Sequence, residues 1–234
     1  MNFSELLEME VTTAKSRELD TAGAISSFQR TLDALSDKRF ISLLEITGYI
    51  PDLYLPDSSE ETLYSKFVEQ VVCEWAKRIG FNQSSMQTQK SSVEDITITD
   101  NRHVIVADAK SFRLGRSQAA PNVKDVLKQG DYIKWLKQYP SQTRLGGLVI
   151  FPSFFEWKKS SDVHAYLTDS TNPVMLLYYE HLAAFLKFDV QIGKLISFYK
   201  NHATHFPNVI DKTDNPKSAY FEKVDTHIFG ESPK

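Results

Sequence analysis

Apolar residues in the first 48 positions recur at three- and four-residue steps, with polar residues between them. This spacing lines the apolar side chains along one face of a helix, so it predicts a helical N-terminal region over 1–57. Gly48, Pro51 and Pro56 mark the end of the pattern, because glycine and proline interrupt regular structure.

A longer helix is predicted to begin at Ser58. Ser58 and Glu61 have the spacing of a capping box, in which two side chains satisfy backbone N–H groups at a helix N-terminus. Gly80 stands where a C-terminal cap is expected. Between these ends the apolar residues follow at four-residue steps, at Leu63, Phe67, Val71 and Trp75.

The period changes from helical to alternating near the middle of the chain. Isoleucine alternates with threonine over 96–99, Asp100-Asn101 interrupts, and 104–106 are again apolar, which predicts a β-hairpin. Two later apolar runs are typical of buried strands, and three segments return to helical spacing. The runs are 146–151 and 174–178, and the helical segments are 121–139, 180–188 and 192–199.

This order of elements predicts an α/β fold of the α+β type, with a mixed β-sheet flanked by helices on both faces. A right-handed crossover is expected where a helix joins two neighbouring strands. We expect a single domain with a helical region 1–57, a core 58–200 and a C-terminal extension 201–234 packed on the core. The extension is polar and is predicted to be mostly loop.

Composition limits the classes of protein to which the chain can belong. Its 41% apolar residues suffice for a core, and no run approaches the roughly 18 consecutive apolar residues of a membrane helix. The N-terminus lacks the basic start and apolar block of a signal peptide, and the single Cys73 excludes an internal disulfide. We therefore expect a cytoplasmic protein with no membrane segment. His202 and His205 lack an evident third metal ligand and are expected at the surface.

Charge is distributed unevenly, although the formal net charge is only −3. Residues 1–101 carry 9 basic and 17 acidic side chains, and residues 149–234 carry 9 and 10. Residues 102–148 carry 9 basic and 3 acidic side chains, a local net of +6. Such a stretch is typical either of a solvated helix face or of a surface that binds an anionic partner.

Two carboxylates and a lysine are brought together by the predicted hairpin. Asp95 stands at the beginning of the first strand and Asp108 at the end of the second, so the turn returns both to the same end of the sheet. Lys110 lies two residues beyond Asp108, a step that keeps two side chains on one face of an extended strand. Carboxylates held this close repel each other unless a cation lies between them. Ordinary surface salt bridges are the alternative interpretation.

The set of Asp95, Asp108 and Lys110 suits phosphodiester hydrolysis. Hard oxygen ligands hold Mg²⁺, for which Mn²⁺ is expected to substitute. The metal would stabilise charge on the phosphate and lower the pKa of a bound water. A neighbouring lysine can orient that water or stabilise the charge that develops in the transition state.

These residues resemble the PD-(D/E)xK signature of type II restriction endonucleases, read as Asp95, twelve intervening residues and Asp108-Ala109-Lys110. Glu94 occupies the position of the proline in that signature. The resemblance extends to the HindIII-like group of this superfamily and covers roughly 58–190, with no match in the N-terminal region or the tail. The similar segments are 61–64, 104–116, 177–182 and 186–188.

The resemblance implies a restriction-endonuclease-like core and a particular activity. It implies a sequence-specific, Mg²⁺-dependent endonuclease that cuts a short palindrome in double-stranded DNA and leaves 5′-phosphate and 3′-hydroxyl ends. A homodimer is expected, with a cognate DNA methyltransferase as a genetic partner rather than a stable subunit.

The resemblance also assigns roles by position. Asp95, Asp108 and the backbone carbonyl of Ala109 would hold the metal, and Lys110 would be the catalytic lysine. A glutamate from the preceding helix is expected to join them. Glu61 is the first candidate, with Glu69 behind it, although capping explains Glu61 equally well.

Side chains that follow the lysine are expected to contact DNA. Arginine, asparagine and glutamine read guanine and adenine edges with paired hydrogen bonds, and lysine contacts phosphates. The candidates are Arg113, Arg116, Gln118, Asn122 and Lys124. Two alternatives keep the fold and change the activity: a repair or structure-specific nuclease, and a non-catalytic DNA-binding protein.

Overall fold

The structure is a computed structural model that describes residues 5–86, 94–113, 129–153, 163–171, 173–208, 210 and 216–230. Its helices are α1 (Leu6–Ser16), α2 (Thr21–Asp33), α3 (Asp37–Leu44), α4 (Ser59–Arg78), α5 (Gln129–Leu136), α6 (Val163–Leu167), α7 (Tyr179–Lys187), α8 (Ile192–Lys200), α9 (His202–His205) and α10 (Pro216–Phe229). Its strands are β1 (Gln83–Met86), β2 (Ile96–Thr99), β3 (Val104–Ala109), β4 (Arg144–Phe151) and β5 (Val174–Tyr178).

The five strands form one mixed sheet in the order β1-β2-β3-β4-β5. Strand β2 runs antiparallel to both β1 and β3, whereas β3, β4 and β5 run parallel to one another. The predicted hairpin is β2–β3, and its turn is held by Asp100, whose carboxylate accepts the N–H groups of Arg102 and His103. The predicted fold class is therefore confirmed.

Helices pack on both faces of the sheet, and two adjacent glycines of β4 make this possible. Successive residues of a strand face opposite sides, so Gly146 and Gly147 look in opposite directions. A β-carbon on Gly147 would lie 2.9 Å from Tyr132 of α5, and one on Gly146 would lie 2.7 Å from Tyr199 of α8. Only glycine admits both aromatic rings this close to the strand.

Helix α4 is the long helix that the four-residue spacing predicted. Ser58 caps it by accepting the N–H of Glu61 at 3.2 Å, and Gly80 follows its end with a positive φ of 109°. The helix packs against α1, α2 and the first three strands. The rings of Phe67 and Phe28 stack at 4.4 Å between centroids, which joins α4 to the N-terminal helices.

The tail was predicted to be mostly loop, and this was wrong. Helix α10 runs from Pro216 to Phe229 and buries Tyr220, Phe221, Val224 and Ile228. The hydroxyl of Tyr220 accepts the N–H of Leu176 in β5 at 3.0 Å. The short apolar pattern of this helix was masked by the polar residues around it.

Two further features of the structure differ from what the sequence predicted. Strand β1 was not predicted, because its sequence Gln-Ser-Ser-Met is polar and it lies at the sheet edge. His202 was expected at the surface but is only 1% exposed, with Nε2 2.9 Å from the carbonyl of Leu167. Of the predicted helix over 121–139, residues 121–128 lie outside the described part of the chain. Among the described residues, no helix is both long and apolar enough to cross a membrane.

Replacing Tyr220 with alanine is expected to lower the free energy of unfolding by about 3 kcal/mol or more, because a cavity forms and the Leu176 N–H loses its acceptor. Urea denaturation measures this change. Lys223→Ala on the exposed side of the same helix is the control and should change stability by less than about 0.5 kcal/mol. Equal stability of the two variants would mean that α10 is not part of the core.

Candidate active site

The hairpin register brings Asp95 and Asp108 together. Ile96 pairs with Ala107, so the residues just outside that pair, Asp95 and Asp108, lie opposite each other at one end of the sheet. Asp108 is 5% exposed, and the carboxyl of Asp95 interacts directly with it. Burial raises the pKa of Asp95 from 3.8 to about 8. A hydrogen bond with Asp108 and the charges of Asp108 and Glu69 add to this shift, and Lys110 opposes it.

Neighbouring side chains bind one of the two carboxylate oxygens of Asp108. Its Oδ2 forms an ion pair with Lys110 and accepts a hydrogen bond from the hydroxyl of Tyr132 at 3.2 Å. Its Oδ1 is buried and has no hydrogen-bond partner among the described residues. A buried carboxylate oxygen without a donor is costly unless a cation completes it.

The backbone of Lys110 is fixed on both sides. Its N–H donates to the carbonyl of Ile150 in β4 at 2.8 Å, and its carbonyl accepts the hydroxyl of Tyr179 at 3.1 Å. The side chain is 27% exposed, so the ammonium group reaches both Asp108 and solvent. The structure therefore confirms that Asp95, Asp108 and Lys110 converge at one point.

The two candidate glutamates of α4 lie in different surroundings. Glu61 accepts a hydrogen bond from Arg113 at 2.8 Å and another from the N–H of Asp57. Glu69 is 5% exposed and pairs with Lys66 at 2.8 Å. Burial raises the pKa of Glu69; Lys66 opposes this shift, and the charge of Asp108 adds to it.

Glu69 is therefore in electrostatic contact with the carboxylate pair. Its charge also raises the pKa of Asp95. The sequence contains a signal that points to Glu69. This residue interrupts the most apolar part of the helix, next to Val68. A charge at such a position needs a buried partner.

The guanidinium of Arg113, a predicted DNA contact, faces the protein. It donates to the carbonyls of Pro51 and Tyr54 at 3.2 and 2.9 Å, as well as to Glu61, and its side chain is 10% exposed. These hydrogen bonds connect the loop before α4 to the chain beyond Lys110. The other predicted DNA contacts lie outside the described residues: Arg116, Gln118, Asn122 and Lys124.

The donor set fits a hard divalent cation. Asp95 and Asp108 supply carboxylate oxygens, one of them buried and without a donor, and the carbonyl of Ala109 lies one residue further along the same strand. Within the described ranges, no group of three or more histidine, cysteine, aspartate or glutamate side chains is arranged around a common metal position. A metal here would be held by two carboxylates, with backbone oxygen and water completing its shell.

Comparison with known proteins identifies the family of the chain. Residues 8–228 match the family model of the HindIII restriction endonuclease. The chain belongs to the HindIII restriction endonuclease family. A curated relative, the type II restriction enzyme HindIII of Haemophilus influenzae, is 27% identical over 166 residues, which is 70% of this chain and 52% of the relative. The matched region thus spans about half the length of that relative.

The extent of the HindIII family match corrects one expectation. The resemblance was expected to stop near residue 190 and to leave out the N-terminal helices. The family match instead begins within α1 and ends within α10. Both regions contribute buried side chains to the one hydrophobic core, so they belong to the family fold rather than to added segments.

Replacing Asp95 with asparagine is expected to stabilise the metal-free protein. Because folding raises the pKa of this carboxyl from 3.8 to about 8, the stability it contributes is present below pH 4 and is lost as the pH rises through 8. The difference in unfolding free energy between Asp95→Asn and the unmodified protein should therefore grow from pH 5 to 8.

Urea denaturation in EDTA at several pH values measures this difference. Asp52→Asn, at an exposed position, is the control and should show no such trend. If Asp95→Asn is no more stable than the unmodified protein at pH 8, burial and the neighbouring carboxylates do not destabilise the ionised form of Asp95 in the folded chain.

Proposed function

We propose that this protein is a Mg²⁺-dependent type II restriction endonuclease that cuts a short palindromic site in double-stranded DNA and leaves 5′-phosphate and 3′-hydroxyl ends. The observation that carries the proposal is the buried pair of facing carboxyl groups, Asp95 and Asp108, beside Lys110. Membership of the HindIII family supports the same chemistry. Asp95, Asp108 and the carbonyl of Ala109 would hold the metal, and Mn²⁺ would substitute for Mg²⁺.

When bound, the metal would stabilise charge on the scissile phosphate and acidify water. The protein's own contribution is to hold the reacting groups in place. A water oxygen forms a bond to phosphorus while the bond to the 3′ oxygen breaks, and that oxygen leaves with the electron pair and takes up a proton. Lys110 lies next to Asp108 with its ammonium group partly exposed, where it can donate to the water or to a phosphate oxygen.

Glu69 is proposed as the third acidic residue of the site, in place of Glu61. It is buried, and its charge interacts with those of Asp95 and Asp108. Glu61 is proposed to have a structural role, because it binds Arg113 and the N–H of Asp57 at the start of α4.

The basic stretch 102–148 is proposed to lie along DNA, since it carries 9 basic and 3 acidic side chains and contains Asp108 and Lys110. Arg116, Gln118, Asn122 and Lys124 remain its candidate DNA contacts. A homodimer is proposed, because a palindromic duplex has two-fold symmetry and each subunit would cut one strand. The enzyme would act in the cytoplasm, with a cognate methyltransferase as its genetic partner.

Incubation with unmethylated plasmid and Mg²⁺ is expected to give discrete fragments, whose ends, once sequenced, define the site. Asp108→Asn and Lys110→Ala should each lower the cleavage rate at least about 1000-fold, since each removes a group worth several kcal/mol in the transition state. Asp52→Asn should cut at the normal rate.

No metal-dependent cutting of several unmethylated DNAs would overturn the enzyme assignment and leave a non-catalytic DNA-binding protein. Cutting confined to branched or unpaired DNA would replace the restriction enzyme with a structure-specific nuclease.

A matched pair of variants distinguishes the roles of the two candidate glutamates of α4. Glu69→Gln should lower cleavage about 10- to 100-fold while the protein remains folded. Glu61→Gln should lower the unfolding free energy by about 1 kcal/mol, because Arg113 loses its charged partner, and should leave cleavage near normal. Cleavage rates and urea denaturation of both variants measure this, and the reverse pattern would return Glu61 to the site.

A further inference from the structure

Helix α5 carries a tyrosine, Tyr132, whose buried hydroxyl lies next to the carboxylate pair. Tyr132 is 1% exposed, and its hydroxyl donates to Oδ2 of Asp108 at 3.2 Å. Lys110 pairs with the same oxygen, whereas Oδ1 has no partner among the described residues. With both donors on one oxygen, the carboxylate has little freedom to rotate, and the direction of Oδ1 is set.

The position of this hydroxyl is determined by packing rather than by its hydrogen bond. The β-carbon of an alanine at position 147 would lie 2.9 Å from Cδ1 and 3.0 Å from Cγ of Tyr132, so the ring lies directly on Gly147. The edge of Trp135 contacts the ring at 5.1 Å between centroids. Gly147 pairs with Val106, which is two residues before Asp108 and therefore on the same face.

In this structure the hydroxyl of Tyr132 is the donor to Asp108. Burial, together with the charges of Asp108 and Asp95, holds the pKa of Tyr132 well above its ordinary value. A neutral donor can stabilise an ionised carboxylate without adding a second positive charge that would compete with a metal ion.

A second tyrosine of the same segment reaches the other strand. Tyr139 follows the last turn of α5, and its hydroxyl donates to Oε1 of Glu94, the residue before Asp95. Glu94 is 1% exposed and also accepts a hydrogen bond from Thr97 at 2.8 Å. Helix α5 and the turn that follows it thus contact both strand ends that carry the paired aspartates.

We propose that Tyr132 is a positioning residue for the metal site: its hydroxyl holds Oδ2 of Asp108 so that Oδ1 faces the cation. The inference rests on the proposed function, since it assumes that Asp108 holds a divalent metal. A merely structural tyrosine would stabilise the fold without affecting metal affinity, and this difference can be measured.

Tyr132→Phe removes the hydroxyl and keeps the ring. The matched control is Tyr199→Phe, because Tyr199 is also buried and its hydroxyl donates to the carbonyl of Gly147 at 2.7 Å. Both variants lose one buried hydroxyl bonded at this part of the sheet. Only the first loses a hydrogen bond to Asp108.

The first measurement is calorimetric titration of the full-length protein with Mn²⁺ alone, without DNA. Tyr132→Phe is expected to bind Mn²⁺ about 10-fold or more weakly than the unmodified protein, and Tyr199→Phe is expected to bind it normally. The second measurement is plasmid cleavage against Mg²⁺ concentration. Tyr132→Phe should need more Mg²⁺ for half-maximal cleavage and recover much of its rate at saturation.

A second variant guards against misfolding of the first. Gly147→Ala keeps the hydroxyl of Tyr132 but displaces its ring, so it should also weaken Mn²⁺ binding. Normal Mn²⁺ affinity in both Tyr132→Phe and Gly147→Ala would overturn the positioning role while leaving the endonuclease proposal intact. If the unmodified protein neither binds Mn²⁺ nor cuts DNA, the proposed function itself fails, and this inference fails with it.

Discussion

The burial of two carboxyl groups that face each other at one end of the β2–β3 hairpin is the constraint on which the site depends. The register places Asp95 opposite Asp108, and the sheet holds them there although burial and like charge raise the pKa of Asp95 to about 8. A folded chain keeps such a pair only when the rest of the structure stabilises it. The stability that this pair costs without a metal would add to its affinity for one, because a cation between the carboxylates would offset their negative charges.

The surrounding elements hold this pair in a fixed geometry. Strand β3 is central in the sheet and its residues Val104–Ala109 are buried, so the backbone that carries Asp108 has little freedom. Lys110 is bonded through its backbone to β4 and to Tyr179. Helix α5 adds the hydroxyl of Tyr132, and α4 adds the charge of Glu69. Each of these groups comes from a different element, so the site exists only when the whole sheet and its helices are assembled.

Local sequence patterns were sufficient to predict those elements that are held by contacts between neighbouring residues. The alternation over 96–99 and the polar turn after it predicted the hairpin, and the hairpin alone brings Asp95 and Asp108 together. The spacing of apolar residues in α4 and its capping residues likewise predicted that helix. Glu61 and Glu69 show the limit of this approach, since both lie on α4 and only packing against the sheet decides which of them approaches the aspartates. The C-terminal helix was missed for a similar reason. Its few apolar residues form a buried face only through their packing against other elements, among them β5.

The sequence by itself determined the hairpin, helix α4, the mixed sheet and the meeting of Asp95, Asp108 and Lys110, because helix and strand periods and turn positions are properties of neighbouring residues. Only the tertiary structure decided that Arg113 binds protein groups, that Glu69 adjoins the site and that Tyr132 bonds to Asp108. These are contacts between residues 24 or more positions apart in the chain. Their distances depend on how helices pack on the sheet, which no local pattern of apolar and polar residues encodes.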